Sequence, residues 1–434
     1  SFLKVGIQKL VAVNRHPIEF VGKGVEPRTL SGTVSIPASK SMTHRMLICA
    51  ALAEGTSVIE HVSFSKDITA TMEALSALGA DFETNGSTIT VTGIHQVATT
   101  QTAEMNCCES GSTLRFLIPV AAALGVHATF HGQGRLPQRP ITAYVRELSK
   151  NGITFDYQNT MPFTIHGQLQ SGTYYLEGDV SSQYITGLLF ALPLLKGNSE
   201  IIMLSPLQSK PYVDMTIACM QQFGFVVRET EQGYFVPGGQ RAHACSGTVE
   251  GDYSQAAFFA VANAIGNQIT MTNLNPDSVQ GDKIIIEIAE KMCYNRNNHK
   301  PACFTLDAAD IPDLVPILAV LATFGTHPSE IHGAARLKIK ESDRLQATAD
   351  LLNRLGGQVT ILEDGLRIQP VERLHGGKVD SYGDHRIAMC AAIAATRCTA
   401  PVVIQGGECI EKSYPQFYED YNRLGGNAHV IVLE

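Results

Sequence analysis

Basic side chains recur beside hydroxyls along this chain. Ser39-Lys40-Ser41 stands one turn ahead of Arg45, Ser110-Gly111-Ser112-Thr113 runs into Arg115, and Ser181-Ser182-Gln183 opens an apolar run. A helix N-terminus offers free N–H groups and the positive end of the helix dipole, so it suits phosphate and carboxylate groups. N-capping alone accounts for the hydroxyls. It does not account for the cations, because Lys or Arg in a first turn opposes the dipole. Their return at equivalent places points to a bound anion.

More cations lie in loops. GQGRLPQRP carries Arg135 and Arg139, and SKPY carries Ser209, Lys210 and Tyr212 just ahead of a helix. KIKESDRL adds Lys338, Lys340, Glu341, Asp343 and Arg344, GDHR adds Asp384, His385 and Arg386, and EKSYP adds Lys412. Any one of these reads as a solvated surface charge. Together, in an acidic protein, they describe a site for two substrates bearing several negative charges. Arg forks match carboxylate and phosphate oxygens two at a time, and Lys acts as a point charge. The chain has no GxxxxGK[ST] loop, no GxGxxG after a first strand, no HExxH and no GxSxG elbow, which disfavours nucleotide hydrolysis, dinucleotide redox chemistry, zinc proteolysis and serine hydrolysis. Fixed cations and one or two carboxylates would carry the chemistry, with neither cofactor nor metal expected.

These loops belong to a repeat. LEGDVSSQYITGLLFALPLL from Leu176 and VEGDYSQAAFFAVANAI from Val249 share a strand-like residue, Glu-Gly-Asp, a Ser/Gln-rich turn and an apolar helix. The plan returns more loosely from Pro37, Cys107, Asp307 and Ser381. With Lys40, Gly111, Ser181, Ser254, Asp313 and Asp384 as markers, the spacing is roughly 60 to 73 residues. About 30 residues after each apolar helix comes an amphipathic one that ends in Gly and leads into a strand. The first helix of each copy should be buried all round and the second covered on one side. Units of this size favour an α/β protein in which six copies form two domains of three.

Composition bounds the rest. A chain of 434 residues and 46.9 kDa is too long for one core. Lys and Arg total 33 against 41 Asp and Glu, a balance of −8, whereas a nucleic-acid binder usually carries the opposite sign. The ten cysteines form no CxxC pair, and most read as small buried hydrophobes in a reducing compartment. Lys4, Lys9 and Arg15 interrupt any secretory signal, and the most apolar stretch, Tyr184 to Leu195, is too short to span a bilayer. A cytoplasmic protein with no membrane partner is expected.

Several motifs, in order, resemble the 5-enolpyruvylshikimate-3-phosphate synthase family. They are PASKSMTHR at 37–45, SGSTLR at 110–115, GRLPQRPI at 134–141, SSQ at 181–183 and SKPYVD at 209–214. IPD at 311–313, IKESDRL at 339–345, GDHRIAM at 383–389 and EKSYP at 411–415 complete the set. The resemblance covers essentially the whole chain after about residue 30. It implies an enolpyruvyl transferase that joins phosphoenolpyruvate to shikimate 3-phosphate and releases phosphate, without cofactor or metal. The implied fold is two globular domains of three βαβαββ units each, an inside-out α/β barrel arrangement. One domain would comprise 1–37 plus 251–434 and the other the inserted 38–250, with hinges near Pro37 and Glu250.

The resemblance also implies roles. Lys40, Gly111, Arg135, Gln183, Arg344, Arg386 and Lys412 would surround phosphoenolpyruvate. Lys40, Ser41, Arg45, Ser181, Ser182, Gln183, Ser209, Tyr212, Asp313 and Lys340 would hold shikimate 3-phosphate. Asp313 would accept the proton of the attacking hydroxyl. Glu341 would protonate the methylene carbon and later take a proton back, its acidity weakened by a dry cleft, with Lys40 beside them as a third catalytic group. Glyphosate-type inhibitors become candidate ligands, and a monomer is the family default. Two positions depart from the pattern: Glu109 and Arg336 each stand where many members carry Asn. Two rivals remain at this point. A sister transferase acting on a uridine-diphosphate amino sugar has Lys-Asn where this chain has Lys40-Ser41, and usually a Cys in the loop matching Gly132 to Pro140. A non-catalytic anion-binding repeat protein would not need Asp313 and Glu341.

Overall fold

Two kinds of helix alternate along the chain in a computed structural model that describes residues 20–95 and 102–433. Residues 1–19, with the expected start of the first domain and the three basic residues that interrupt a signal, lie outside the described residues. The helices are α1 (Lys40–Leu52), α2 (Lys66–Ala77), α3 (Gly111–Ala123), α4 (Thr142–Ser149), α5 (Ser182–Ala191) and α6 (Lys210–Gln222). They continue as α7 (Tyr253–Ala264), α8 (Ile284–Asn297), α9 (Val315–Thr323), α10 (Arg344–Arg354), α11 (His385–Ala395) and α12 (Phe417–Arg423).

The odd-numbered helices are the apolar ones. Every residue of α9 and of α11 is buried, and in α3 only Ser112 is not. Even-numbered helices keep a wet stripe. In α2, Lys66, Thr69, Glu73 and Ser76 are exposed at helical spacing while Ile68, Ala74 and Leu75 are buried. In α10, Leu345, Leu351 and Leu352 face inward and Gln346, Asn353 and Arg354 outward. The apolar pattern decides this by the cost of leaving such side chains in water.

Among the described residues, five of the six helix pairs are threaded on a small sheet of one design. Thr173–Leu176 lies parallel to Ser199–Met203, which pairs antiparallel with Gly233–Val236, which pairs in turn with Arg228–Thr230. The same order of one parallel and two antiparallel pairings recurs in the sheets begun by Ala103–Asn106 and by Thr305–Asp307. Two more copies are completed by distant chain. Gly247–Thr248 supplies the first strand beside Thr56–Glu60, and Phe20–Val25 enters the sheet that holds Val402–Gln405. In the sixth copy, among the described residues, Gln268–Thr272 pairs only with Ser31–Ser35, in parallel.

These borrowed strands sort the chain. One buried hydrophobic cluster draws on residues from Val25 to Ile36 and from Tyr253 to Ala428. A second runs from Ala38 to Val249. The chain passes between the clusters twice, side by side. Ala38 and Gly251 form an antiparallel bridge, the Ser39 amide donates to the Glu250 carbonyl at 2.8 Å, and the Asp252 amide donates to the Pro37 carbonyl at 2.9 Å. No described helix is long and apolar enough to cross a membrane.

Candidate active site

The starts of the buried helices meet at a cleft of about 740 Å³ between the two clusters. The hydroxyls there do act as caps. Ser39 Oγ accepts from the Met42 amide at 3.2 Å, Ser110 Oγ from Thr113 at 3.1 Å, and Ser181 Oγ from Gln183 at 3.2 Å. Asp252 and Asp384 cap α7 and α11 in the same way. Capping therefore holds one hydroxyl of each loop, and the neighbouring Ser41, Ser112 and Ser182 line the cleft.

From the 38–250 side come Lys40, Arg45 and Tyr212. The Lys40 amine is 2.9 Å from Asp67, which α2 presents from its first turn. Arg45 is buried and held on three sides: it donates to Thr216 Oγ1 at 2.8 Å, the Ser41 carbonyl at 2.9 Å and the Tyr212 carbonyl at 3.1 Å. Burial lowers its pKa to about 10, so the guanidinium stays charged near neutrality. Arg115 turns away from the cleft lining; it donates to Gln183 Oε1 at 2.9 Å and fixes that amide.

Acids converge on Arg344 from the other side. Its side chain is 2% exposed, and it reaches Asp313 at 3.1 Å, Glu341 at 2.7 Å and Asp384 at 2.8 Å. Arg386 adds a 3.5 Å contact to Asp313, and Lys412 lies 3.6 Å from Glu341. Burial pushes both catalytic candidates toward the neutral acid, but the cations outweigh it. Arg386, Arg344 and Lys340 hold Asp313 below the usual carboxylate range, and Arg344, Lys412 and Arg139 do the same for Glu341. For Glu341 this reverses the direction expected of a dry cleft, because the surrounding charge is larger than the desolvation. The Arg344–Glu341 contact is close but poorly aligned as a hydrogen bond, so Oε2 has no hydrogen-bond partner. Lys340 is pushed toward its neutral form: burial takes its amine down to about 7, against the pull of Asp313.

Nearly all the sequence-predicted residues are brought together. Lys40, Ser41, Arg45, Gly111, Ser181, Ser182, Gln183, Ser209, Tyr212, Asp313, Lys340, Glu341, Arg344 and Arg386 all line the cleft. Lys412 stands at its edge, donating to the Glu109 carbonyl at 3.1 Å. Arg135 is exposed and outside the lining. It precedes the turn Leu136–Gln138, whose Leu136 is buried, and the turn delivers Arg139 to the cleft instead. A Cβ on Gly111 would come 2.5 Å from an Arg139 guanidinium nitrogen, so this glycine admits that side chain. Of the two departures, Glu109 contributes its backbone, while Arg336 lines the cleft and donates to Ser209 Oγ at 2.6 Å.

Asp67 and Phe116 also line the site without having been read from the sequence. Phe116 is inside a buried helix and looks like core; Asp67 looks like an ordinary first-turn acid. Ser209 had a hidden feature too. It sits in the left-handed region at φ 57°, held by its amide donating to the Ala309 carbonyl at 2.9 Å across the two clusters.

A fold of six α/β copies with a cationic cleft between two cores, three carboxylates on one guanidinium, defines an enzyme acting on anionic substrates. The family model described as EPSP synthase (3-phosphoshikimate 1-carboxyvinyltransferase) matches residues 25–421, and the chain belongs to that family. The 3-phosphoshikimate 1-carboxyvinyltransferase of Clostridium kluyveri is 45% identical over 413 residues, spanning 93% of this chain and 97% of that protein. The Clostridium acetobutylicum protein of the same name is 42% identical over 418 residues, again 93% of this chain and 97% of the relative. In structure, the chain is similar to the EPSP synthase of Acinetobacter baumannii, with a TM-score of 0.76 and 25% identity over 95% of this chain and 100% of that one.

Proposed function

We propose that this chain transfers the enolpyruvyl group of phosphoenolpyruvate to the 5-hydroxyl of shikimate 3-phosphate, releasing phosphate, in the branch of metabolism that makes chorismate and aromatic amino acids. Family membership and the names of its relatives support the reaction. The observation that carries the site is that Asp313 and Glu341 share the guanidinium of Arg344 in a cleft lined by cations from both cores.

The roles follow from chemistry at these positions. Ser41, Arg45, Ser181, Ser182, Gln183, Ser209, Tyr212 and Lys340 would hold shikimate 3-phosphate, and its phosphate would restore full charge to the Lys340 amine. Lys40, Gly111, Gln183, Arg344, Arg386 and Lys412 would hold phosphoenolpyruvate. Arg139 is the nearer arginine of its loop, and Arg135 would join only if the loop moves. Asp313 would accept the proton of the 5-hydroxyl as its oxygen bonds to C2 of phosphoenolpyruvate, while the carboxyl of Glu341 protonates C3. Elimination then breaks the C2–O bond to phosphate as Glu341 removes a proton from the methyl and the proton held by Asp313 passes to the departing phosphate oxygen. The protons balance with no water consumed. Arrangement of the two cores as domains, 1–37 plus 251–434 and 38–250, hinged near Pro37 and Glu250, would let the cleft close and exclude water. A cytoplasmic monomer fits this reading.

The test is phosphate release from phosphoenolpyruvate, offered with shikimate 3-phosphate in one reaction and with a uridine-diphosphate amino sugar in another. Release is expected with the shikimate ester alone. Release with the sugar would give the sister activity, and none with either would leave an anion-binding protein.

A further inference from the structure

Behind the cleft lies a group that the proposed reaction does not use. Asp282 sits in the turn Gly281–Lys283, 6% exposed, facing Tyr212. The close approach depends on Gly281, where a Cβ would come 2.8 Å from Pro211. The phenol of Tyr212 therefore projects between two carboxyl groups of the opposite core: 3.0 Å from Asp313 Oδ2 and 3.4 Å from Asp282 Oδ2. The other oxygen of Asp282, Oδ1, is buried with no hydrogen-bond partner.

Proton counting constrains this trio. A phenol has one hydrogen to give. The shorter contact assigns it to Asp313, which Arg344 and Arg386 keep ionised. If Asp282 were ionised as well, one of its oxygens would face the phenol oxygen lone pair to lone pair, and the other would be a buried charge without a donor. Such a group costs several kcal/mol. A neutral Asp282 removes the first penalty, because its own O–H can donate to the Tyr212 oxygen, and lessens the second, because Oδ1 is then an uncharged carbonyl oxygen.

We propose that Asp282, held as the neutral acid, is a positioning residue that donates to Tyr212 and thereby keeps the Tyr212 hydrogen on Asp313. The chain of donation Asp282 to Tyr212 to Asp313 also ties the core that carries Tyr212 to the core that carries both acids. The charges around Asp282 agree. Burial and the charge of Asp313 raise its pKa to about 8, with Asp252 adding and Arg386 opposing. Burial and the two acids keep the Tyr212 phenol protonated. Above that range Asp282 ionises, Tyr212 is pulled between two anions, and Asp313 loses its donor.

The inference rests on the proposed enolpyruvyl transfer, and its test separates the two. The ratio of kcat/KM for shikimate 3-phosphate, Asp282→Asn over wild type, is measured from pH 7 to pH 10. Asn keeps an N–H donor and cannot ionise, so the ratio should rise about tenfold through the region of the Asp282 pKa. A merely structural Asp282 would leave it flat. Infrared difference spectra of the unliganded wild-type protein supply a measurement that needs no variant to fold. A protonated-carboxyl band should be present at pH 7 and vanish on titration to pH 10. A flat ratio or a missing band overturns the proposal. Failure of the wild type to turn over at any pH would instead sink the assigned reaction, leaving the infrared result to decide the state of Asp282.

Discussion

The guanidinium of Arg344 and the carboxylate of Glu341 stand 2.7 Å apart, three residues apart in sequence, with Oε2 of Glu341 still lacking an aligned donor. Arg344, with Lys412 and Arg139, outweighs burial and keeps Glu341 ionised. Anionic substrates would draw off the field of Arg344 and Lys412, and burial would then push the carboxyl toward its protonated form. Formation of the complex with both substrates should take up a proton, seen as a dependence of calorimetric heat on buffer ionisation enthalpy. Glu341→Gln should keep binding, take up less than wild type by the share of Glu341, with the share of Lys340 retained, and lower kcat by about 10²- to 10⁴-fold. Near-normal turnover in the variant would remove Glu341 from the proton-transfer role.

Much of this is legible in the sequence alone. Helix starts carrying hydroxyls with cations read as anion sites, and Lys40, Gly111 and Gln183 indeed face one cleft. The alternation of apolar and amphipathic helices followed from residues such as Lys66, Thr69 and Glu73. What escaped depended on contacts between distant segments. Which arginine of GRLPQR points inward is decided by burial of Leu136 between them, and the downward push on Glu341 by three cations from three loops. Asp282 lies in a plain Gln-Gly-Asp turn, and only the approach of Pro211 and Tyr212 gives it a partner.

Arg344 also supports the fold. It neutralises Asp313, Glu341 and Asp384 at once while almost wholly buried. Arg344→Met fills similar space but leaves three acids short of a cation. Loss of one partner from a buried ion pair costs about 3–5 kcal/mol, so urea unfolding at pH 7 should show destabilisation of that order. The loss should shrink as pH falls and the acids protonate. A variant as stable as wild type would mean that Arg386 and Lys412 suffice.

Gly111 makes a separate prediction about the anion site. Ala at this position sets its Cβ 2.5 Å from Nη1 of Arg139 and 2.7 Å from Cζ. The long side chain can move, and the room it has is the cleft. Gly111→Ala should therefore raise KM for phosphoenolpyruvate about 10- to 100-fold, with a smaller change for shikimate 3-phosphate. Shortening Arg139 in the same protein, as Arg139→Ala, should remove part of the added defect. Equal KM values in wild type and Gly111→Ala would show that Arg139 moves away from the substrate.

His44 links the site to stability in acid. Its Nδ1 lies 2.8 Å from Thr71 Oγ1, which lies 2.7 Å from Thr113 Oγ1, and Nε2 is buried without a partner. Burial first, then the charge of Lys40, lowers its pKa to about 3. An unfolded histidine titrates near 6.5, so the unfolded chain binds the extra proton first. The stability associated with neutral His44 is thus complete above about pH 6.5 and is lost as pH falls toward 3, by about 1.4 kcal/mol per pH unit at most. His385, also buried and pushed down by burial, Lys40 and Arg386, works in the same direction. His44→Gln cannot take up that proton. Urea unfolding of both proteins at pH 7, 6, 5 and 4 should show wild type losing stability relative to the variant at each step down. A constant difference would mean that His44 protonates without leaving its pocket.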